Sequence, residues 1–191
     1  MSKKKIAFLV SGNGSNMQNL IERMRSGTIP ADPVLVICNR PEAGALERAA
    51  LLRVPACVID HKQFKERADF DRQLMDVIDS AEVDYICLAG FMRLLTSDFV
   101  NHYPNKLINI HPSYLPHFPG AHAIRDAYIA KVKETGVTVH YVDAGVDTGL
   151  VILQKKVPIY IGETLEAVEE RVHDMEYQIY PEALNLILKE G

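Results

Sequence analysis

Asn109, His111 and Asp147 are the residues whose types and spacing suit acyl transfer. Asn109-Ile110-His111-Pro112-Ser113 closes the apolar run Leu107–Ile110, which reads as a buried strand. Alternate side chains of a strand share a face, so Asn109 and His111 emerge together while Ile110 turns into the core. A carboxamide donor beside an imidazole offers oxyanion stabilisation and proton movement, the two needs of acyl transfer. Pro112 fixes the chain direction and limits the conformations open to His111. The same histidine also suits a plainer task, capping a backbone carbonyl at a strand end. Asp147 lies in Asp143-Ala-Gly-Val-Asp-Thr-Gly149, where Gly145 and Gly149 permit a tight loop back over the sheet edge. A carboxylate brought beside an imidazole favours its charged form; a turn aspartate left in water does not. Asp-Thr-Gly occurs once, so an aspartic-protease reading lacks its second carboxylate unless a homodimer supplies it.

A second constellation is Ser11-Gly12-Asn13-Gly14-Ser15-Asn16, which follows the first apolar run and opens the first helical segment. Small residues there let backbone N–H groups approach an anion, and the helix start adds positive potential. Ser15 and Asn16 add side-chain donors. A purely structural turn remains the alternative. The dinucleotide fingerprint is incomplete, because its third glycine position is Met17. The next strand ends in Cys38-Asn39-Arg40, with no acid for a ribose diol, although Arg40 keeps a 2′-phosphate reading open. There is no Gly-Lys-Ser/Thr of a Walker loop.

The elements that must position these residues follow from the hydrophobic period. Ile6–Val10, Val34–Cys38, Ala56–Ile59, Tyr85–Ala89 and Leu107–Ile110 read as successive strands. Asn16–Arg25, Ala43–Leu52 and Phe64–Ser80 read as the helices between them, which predicts an α/β fold with helices on both faces of a mostly parallel sheet. His111–Gly120 carries three prolines and reads as a fixed loop. A helix at His122–Lys131 and an antiparallel pair, Gly136–Val142 with Leu150–Val157, come next. Thr164–Lys189 reads as a final amphipathic helix with Thr164 as N-cap; Ala167 rules out a full capping box. No linker or repeat interrupts this, so residues 1–191 are expected to form one Rossmann-like domain.

Composition narrows the partners. Of the 191 residues, 48% are hydrophobic and 24% charged, as in ordinary globular chains, and the formal charge of −4 gives no basic footprint for nucleic acid. The first apolar run is too short for a signal peptide or a membrane span, so a cytoplasmic protein without membrane contact is expected. Cys38, Cys57 and Cys87 are odd in number and sit in or beside apolar runs, as buried reduced thiols do. His111, His117 and His122 lack the helical spacing of a zinc site and His140 stands alone in a strand, so no metal is expected.

Taken together these segments resemble the phosphoribosylglycinamide formyltransferase family. The motifs are Ser-Gly-Asn-Gly-Ser-Asn at 11–16, Leu-Ala-Gly-Phe-Met-Arg-Leu-Leu at 88–95 and Asn-Ile-His-Pro-Ser-Tyr-Leu-Pro at 109–116. Phe-Pro-Gly at 118–120, Gly-Val-Thr-Val-His at 136–140 and Val-Asp-Thr-Gly at 146–149 complete the set, which runs from Ile6 into the final helix. The resemblance implies formyl transfer from 10-formyltetrahydrofolate, as co-substrate and without metal, to the amine of glycinamide ribonucleotide in de novo purine synthesis. It implies catalytic roles for Asn109, His111 and Asp147, and ribonucleotide contacts from Gly12, Asn13, Gly14, Ser15, Asn16 and Glu176. It places folate contacts at Arg67, Met92, Arg93, Leu94, Leu95, Asn109 and His140, and at Asp143, Ala144, Gly145, Val146 and Asp147. The part to about residue 105 would then bind the ribonucleotide phosphate, and residues 106–191 would hold the catalytic groups and folate. On the residues alone, Glu176 reads as a helix-surface acid and Met92–Leu95 as core. Leu150 stands where the family often has proline after Asp-Thr-Gly. A relative acting on aminoacyl-tRNA or a sugar nucleotide is the runner-up; the tRNA enzyme usually carries an added C-terminal domain. A nucleotide-binding module without chemistry would have no use for the Asn/His/Asp set. A homodimer is compatible with all of this.

Overall fold

A computed structural model describes residues 3–190; Met1, Ser2 and Gly191, part of the expected domain, lie outside the described residues. Seven strands form one sheet: β1 (Lys4–Val10), β2 (Ala31–Cys38), β3 (Ala56–Val58), β4 (Tyr85–Leu88), β5 (Leu107–His111), β6 (Glu134–Tyr141) and β7 (Val151–Pro158). Their order is β3-β2-β1-β4-β5-β6-β7, parallel from β3 to β5 and antiparallel from β5 to β6 and from β6 to β7. The parallel sheet and the antiparallel pair agree with the reading from hydrophobic period.

The middle strands are apolar on both faces, so the sheet carries two cores. Ile6, Phe8 and Val10 face a cluster built with α1 (Ser15–Arg25), α2 (Gly44–Leu51), α5 (Ala123–Ile129) and α6 (Leu165–Glu190). Ala7 and Leu9 face a second cluster built with α3 (Arg67–Ser80) and α4 (Ser97–His102). Cys38 and Cys87 are buried free thiols, and burial pushes Cys87 up to about 12. Cys57, also free, is half-buried. No helix among the described residues is long and apolar enough to cross a membrane.

Two local differences have plain causes. Helix α4 is too short for its period to show in the sequence; it is started by Thr96, whose side chain accepts the Phe99 N–H at 3.3 Å, and held by buried Phe99 and Val100. Helix α3 begins at Arg67 rather than Phe64, because Asp60 caps a single 3-10 turn, His61–Gln63, and leaves Phe64 extended. At Thr164 the expected cap is present, accepting the Ala167 N–H at 3.3 Å.

Helix α6 contains Pro181, which has no N–H for the carbonyl four residues earlier. That carbonyl, on Tyr177, instead accepts Asn19 Nδ2 from α1 at 3.0 Å. The proline therefore ties α6 to α1 across the core. Fully buried Tyr180, the residue before the proline, places its hydroxyl 3.1 Å from the Leu88 carbonyl of β4 and 3.0 Å from the Ile108 carbonyl of β5.

Asn19→Ala leaves the Tyr177 carbonyl without that donor and should cost about 1 kcal/mol, the net worth of a hydrogen bond. In a Pro181→Ala background the helix supplies its own N–H, so the same change should cost less. Urea denaturation of the four proteins measures this, and equal costs in both backgrounds would refute the link.

Candidate active site

Strands β1, β4 and β5 end at one sheet edge, and the order reverses between β1 and β4, where open α/β sheets bind ligands. Asn109 and His140 are direct partners across the antiparallel β5–β6 pair, with Asn109 Nδ2 3.2 Å from His140 Nε2. His140 is buried, its Nδ1 donates to the Tyr141 carbonyl at 2.8 Å, and its Nε2 faces both Asn109 and Asp147. His111, two residues along β5, is also buried. Its Nε2 lies 2.9 Å from the Phe118 carbonyl and its Nδ1 3.4 Å from Asp147 Oδ2. The Phe118 carbonyl only accepts, so Nε2 donates to it, while the longer approach of Nδ1 to Asp147 is a polar contact without hydrogen-bond geometry.

The loops that bring Asp147 there are fixed by short contacts. Gly145 N–H and the Thr148 hydroxyl donate to Asp143, at 3.1 Å and 2.8 Å to Oδ1, which curls the segment. A Cβ on Gly149 would lie 1.7 Å from the Tyr141 carbonyl oxygen, so only glycine fits. Asp147 has φ 54°, the left-handed region that Asp and Asn tolerate better than other side chains. Its Oδ2 accepts the Gly120 N–H at 2.8 Å, joining this loop to the proline-rich one. That second loop is held to β6 by Thr138, whose hydroxyl donates to the Ser113 carbonyl at 2.7 Å and accepts the Leu115 N–H at 3.1 Å.

Burial opposes ionisation of Asp147. Polar contact with His140, the Gly120 N–H and the charges of the two imidazoles together outweigh it and hold the carboxyl below its ordinary 3.8. The Gly120 bond has true hydrogen-bond length; the 3.7 Å approach of His140 Nε2 to Oδ1 is an electrostatic contact only.

The glycine loop sits at the same edge. Gly14 caps α1 with φ 75° and no side-chain hydrogen bond, which leaves the start of the helix open to an anion. A Cβ at Gly14 would also lie 2.7 Å from Ala45 Cβ. The buried Ser11 hydroxyl accepts the Met92 N–H at 2.7 Å, linking this loop to the 92–95 segment. Asn16 departs from expectation: its Nδ2 reaches Glu176 Oε2 at 2.9 Å, so its side-chain donor faces α6 rather than the loop. Glu176 is buried, not a surface acid, because Asn16 and His173 Nδ1 both meet its Oε2 at 2.9 Å. That bond raises the pKa of His173, against its own partial burial. Buried partners on another helix cannot be read from helical period.

The segments that the resemblance gives to folate are open. Met92 is 61% and Leu94 56% exposed, which corrects their reading as core, while Leu95 packs against the second cluster. Arg93 lies over the Phe70 ring at 5.4 Å, and Arg67, exposed, opens α3. Exposed Val146, with Asp143, Ala144 and Gly145, lines the rim beside Asp147. A cleft of about 720 Å³ opens on the other side of the glycine loop, bordered by Gly12, Asn13, Arg40, His61 and Lys62, and does not include Asn109, His111 or Asp147. No group of three or more His, Cys, Asp or Glu side chains suited to a metal occurs among the described residues. His140 is the group whose weight in the site the sequence understates: its cross-strand pairing with Asn109 depends on register, which spacing alone does not give.

This chain belongs to the formyl transferase family, which it matches over residues 4–184. Within that family it is 40% identical to phosphoribosylglycinamide formyltransferase of Bacillus subtilis, a match covering 97% of this chain and 95% of that protein. It superposes on glycinamide ribonucleotide transformylase 1 of Geobacillus kaustophilus with a TM-score of 0.94 at 46% identity, covering 97% of this chain and 99% of that one. The trifunctional purine biosynthetic protein adenosine-3 of Drosophila melanogaster is 45% identical over 97% of this chain, but the chain spans only 14% of that protein's length.

A carboxyl held below its ordinary value stabilises the fold above that value, and the contribution is lost as pH falls through the lower folded one. Asp147→Asn keeps the left-handed backbone and removes the charge. Its stability deficit should therefore be present near neutrality and shrink as pH falls below about 4. Urea titrations of both proteins across that range test this, and a pH-independent deficit would contradict the electrostatic account.

Proposed function

We propose that this chain transfers the formyl group of 10-formyltetrahydrofolate to the amine of N1-(5-phosphoribosyl)glycinamide, in de novo synthesis of the purine nucleotide IMP. The observation that carries the reading is the meeting of Asn109, His111 and Asp147 at the sheet edge that also holds an uncapped, glycine-led helix. Phosphoribosylglycinamide formyltransferase of Bacillus subtilis, similar over nearly the whole of both chains, supports the choice of amine. The part to about residue 105 supplies the loop 12–16 to the phosphate, and Glu176 in α6 adds a contact to the rest of the ribonucleotide. The folate lies against Arg67, the 92–95 segment, His140 and the 143–147 loop, where exposed Met92, Leu94 and Val146 offer apolar surface. The free thiols are in keeping with a cytoplasmic setting.

The transfer is direct. The neutral amine attacks the formyl carbon, and negative charge develops on the formyl oxygen. Asn109 and protonated His111 donate to that oxygen, exchanging their contacts with His140 and the Phe118 carbonyl for it. Such exchange keeps both donors aimed before the substrate arrives. Asp147 keeps His111 charged and takes part in moving the amine proton toward the leaving folate nitrogen.

Purified protein given both substrates should release tetrahydrofolate in step with formylated ribonucleotide. Transfer to an aminoacyl-tRNA or a sugar nucleotide, with none to the glycinamide ribonucleotide, would overturn the assignment.

A further inference from the structure

Helix α2 takes no part in the chemistry described above, yet it is built onto the glycine loop. Ala45 N–H donates to the Gly12 carbonyl at 3.1 Å, and Ala45 lies so close to Gly14 that no side chain fits there. Arg48, one turn further along α2 and half-buried, reaches back to Asn13. Its Nε and Nη2 both donate to Asn13 Oδ1, at 3.3 and 3.2 Å, while Nη1 contacts Gln18 Oε1 in α1.

A guanidinium has donors only, so the Asn13 atom it grips must be the carbonyl oxygen. The amide orientation is thereby fixed, and Nδ2 points away from Arg48. The seat for that oxygen is narrow: a Cβ on Gly44 would lie 3.0 Å from it. Asn13 itself is exposed, and it borders both the cleft of about 720 Å³ and the smaller one, about 460 Å³, between α1 and α2. Without Arg48 nothing described at this position would choose between the two orientations of the amide. In the wrong one, Oδ1 would face an incoming phosphate and repel it.

We propose that Arg48 is a positioning residue for phosphate recognition, holding Asn13 Oδ1 so that Asn13 Nδ2 donates to the phosphate of the ribonucleotide. The inference rests on the reading of loop 12–16 as the phosphate site. Arg48 acts through Asn13, and its effect falls on ribonucleotide binding rather than on formyl transfer.

The test is calorimetric and kinetic, on wild type, Arg48→Met, Asn13→Ala and the double variant, with thermal melts to confirm that each folds. Arg48→Gln replaces Arg48→Met should the latter be insoluble. Arg48→Met should weaken ribonucleotide binding about 10- to 100-fold, the loss of a donor to a charged group. The ribonucleotide KM should rise alike, with kcat at saturation and folate KM changed less than about threefold, as for uniform binding energy. In the Asn13→Ala background, Arg48→Met should cause little further loss. Full additivity would mean that Arg48 acts by its own charge, and unchanged affinity would mean that it only joins α1 to α2; either overturns the inference. Equal loss at the folate site would overturn it as well. Failure of the wild type to bind the ribonucleotide would overturn the phosphate reading beneath it, and the inference with it.

Discussion

Asp147 accepts the Gly120 amide with the same oxygen that faces His111, and its other oxygen lies toward His140. Three pieces of chain meet in that contact: the end of β5, the end of β6 and the proline-rich loop. Each has its own reason to be there. His111 and Asn109 share a face of β5 by strand alternation, His140 is set by antiparallel register, and Gly120 is delivered by a loop bonded to Thr138. The carboxylate is the element they have in common. Half-buried and ionised, it needs positive and N–H partners, and those partners are the groups an acyl transfer uses.

The far end of the site depends on a different constraint. Pro181 removes one backbone donor from α6, and Asn19 of α1 supplies the replacement. Three residues earlier on α1, Asn16 meets Glu176 of α6, so the same helix pairing that repairs the proline also buries an acid beside the glycine loop. Helical spacing puts Asn16 and Asn19 on one face. Ser11 then joins this half to the 92–95 segment through the Met92 amide. The ribonucleotide and folate halves of the proposed site are thus joined by a hydrogen bond from a backbone amide to a short, buried hydroxyl, which is less easily displaced than a contact between long side chains.

Much of the fold was legible because two-faced apolar strands and amphipathic helices leave strong periods. Ile6–Val10 and Leu74–Val77–Ile78 are examples. Short α4 left none, and its cap, Thr96, is an ordinary residue until Phe99 is seen buried behind it. In the site, Asn109 and His111 could be paired from the strand alone, whereas Asp147 needed a loop path that only Gly145 and Gly149 hinted at. Glu176 was not legible as a buried group, since its partners are Asn16, 160 positions away, and a half-exposed histidine. Met92 and Leu94 misled in the opposite sense. Apolar side chains read as core unless something shows that the chain turns outward, and here the turn is made by Gly90 at φ 75°.

In the proposed mechanism Asp147 acts through His111. A double-mutant cycle on kcat/KM, with His111→Ala, Asp147→Asn and the pair, tests it most directly once circular dichroism shows that all three fold. His111→Ala should cost about 10²–10³ in rate, as single oxyanion-donor losses do, and adding Asp147→Asn should cost little more. Losses that multiply independently, or a His111→Ala enzyme near wild-type rate, would contradict it.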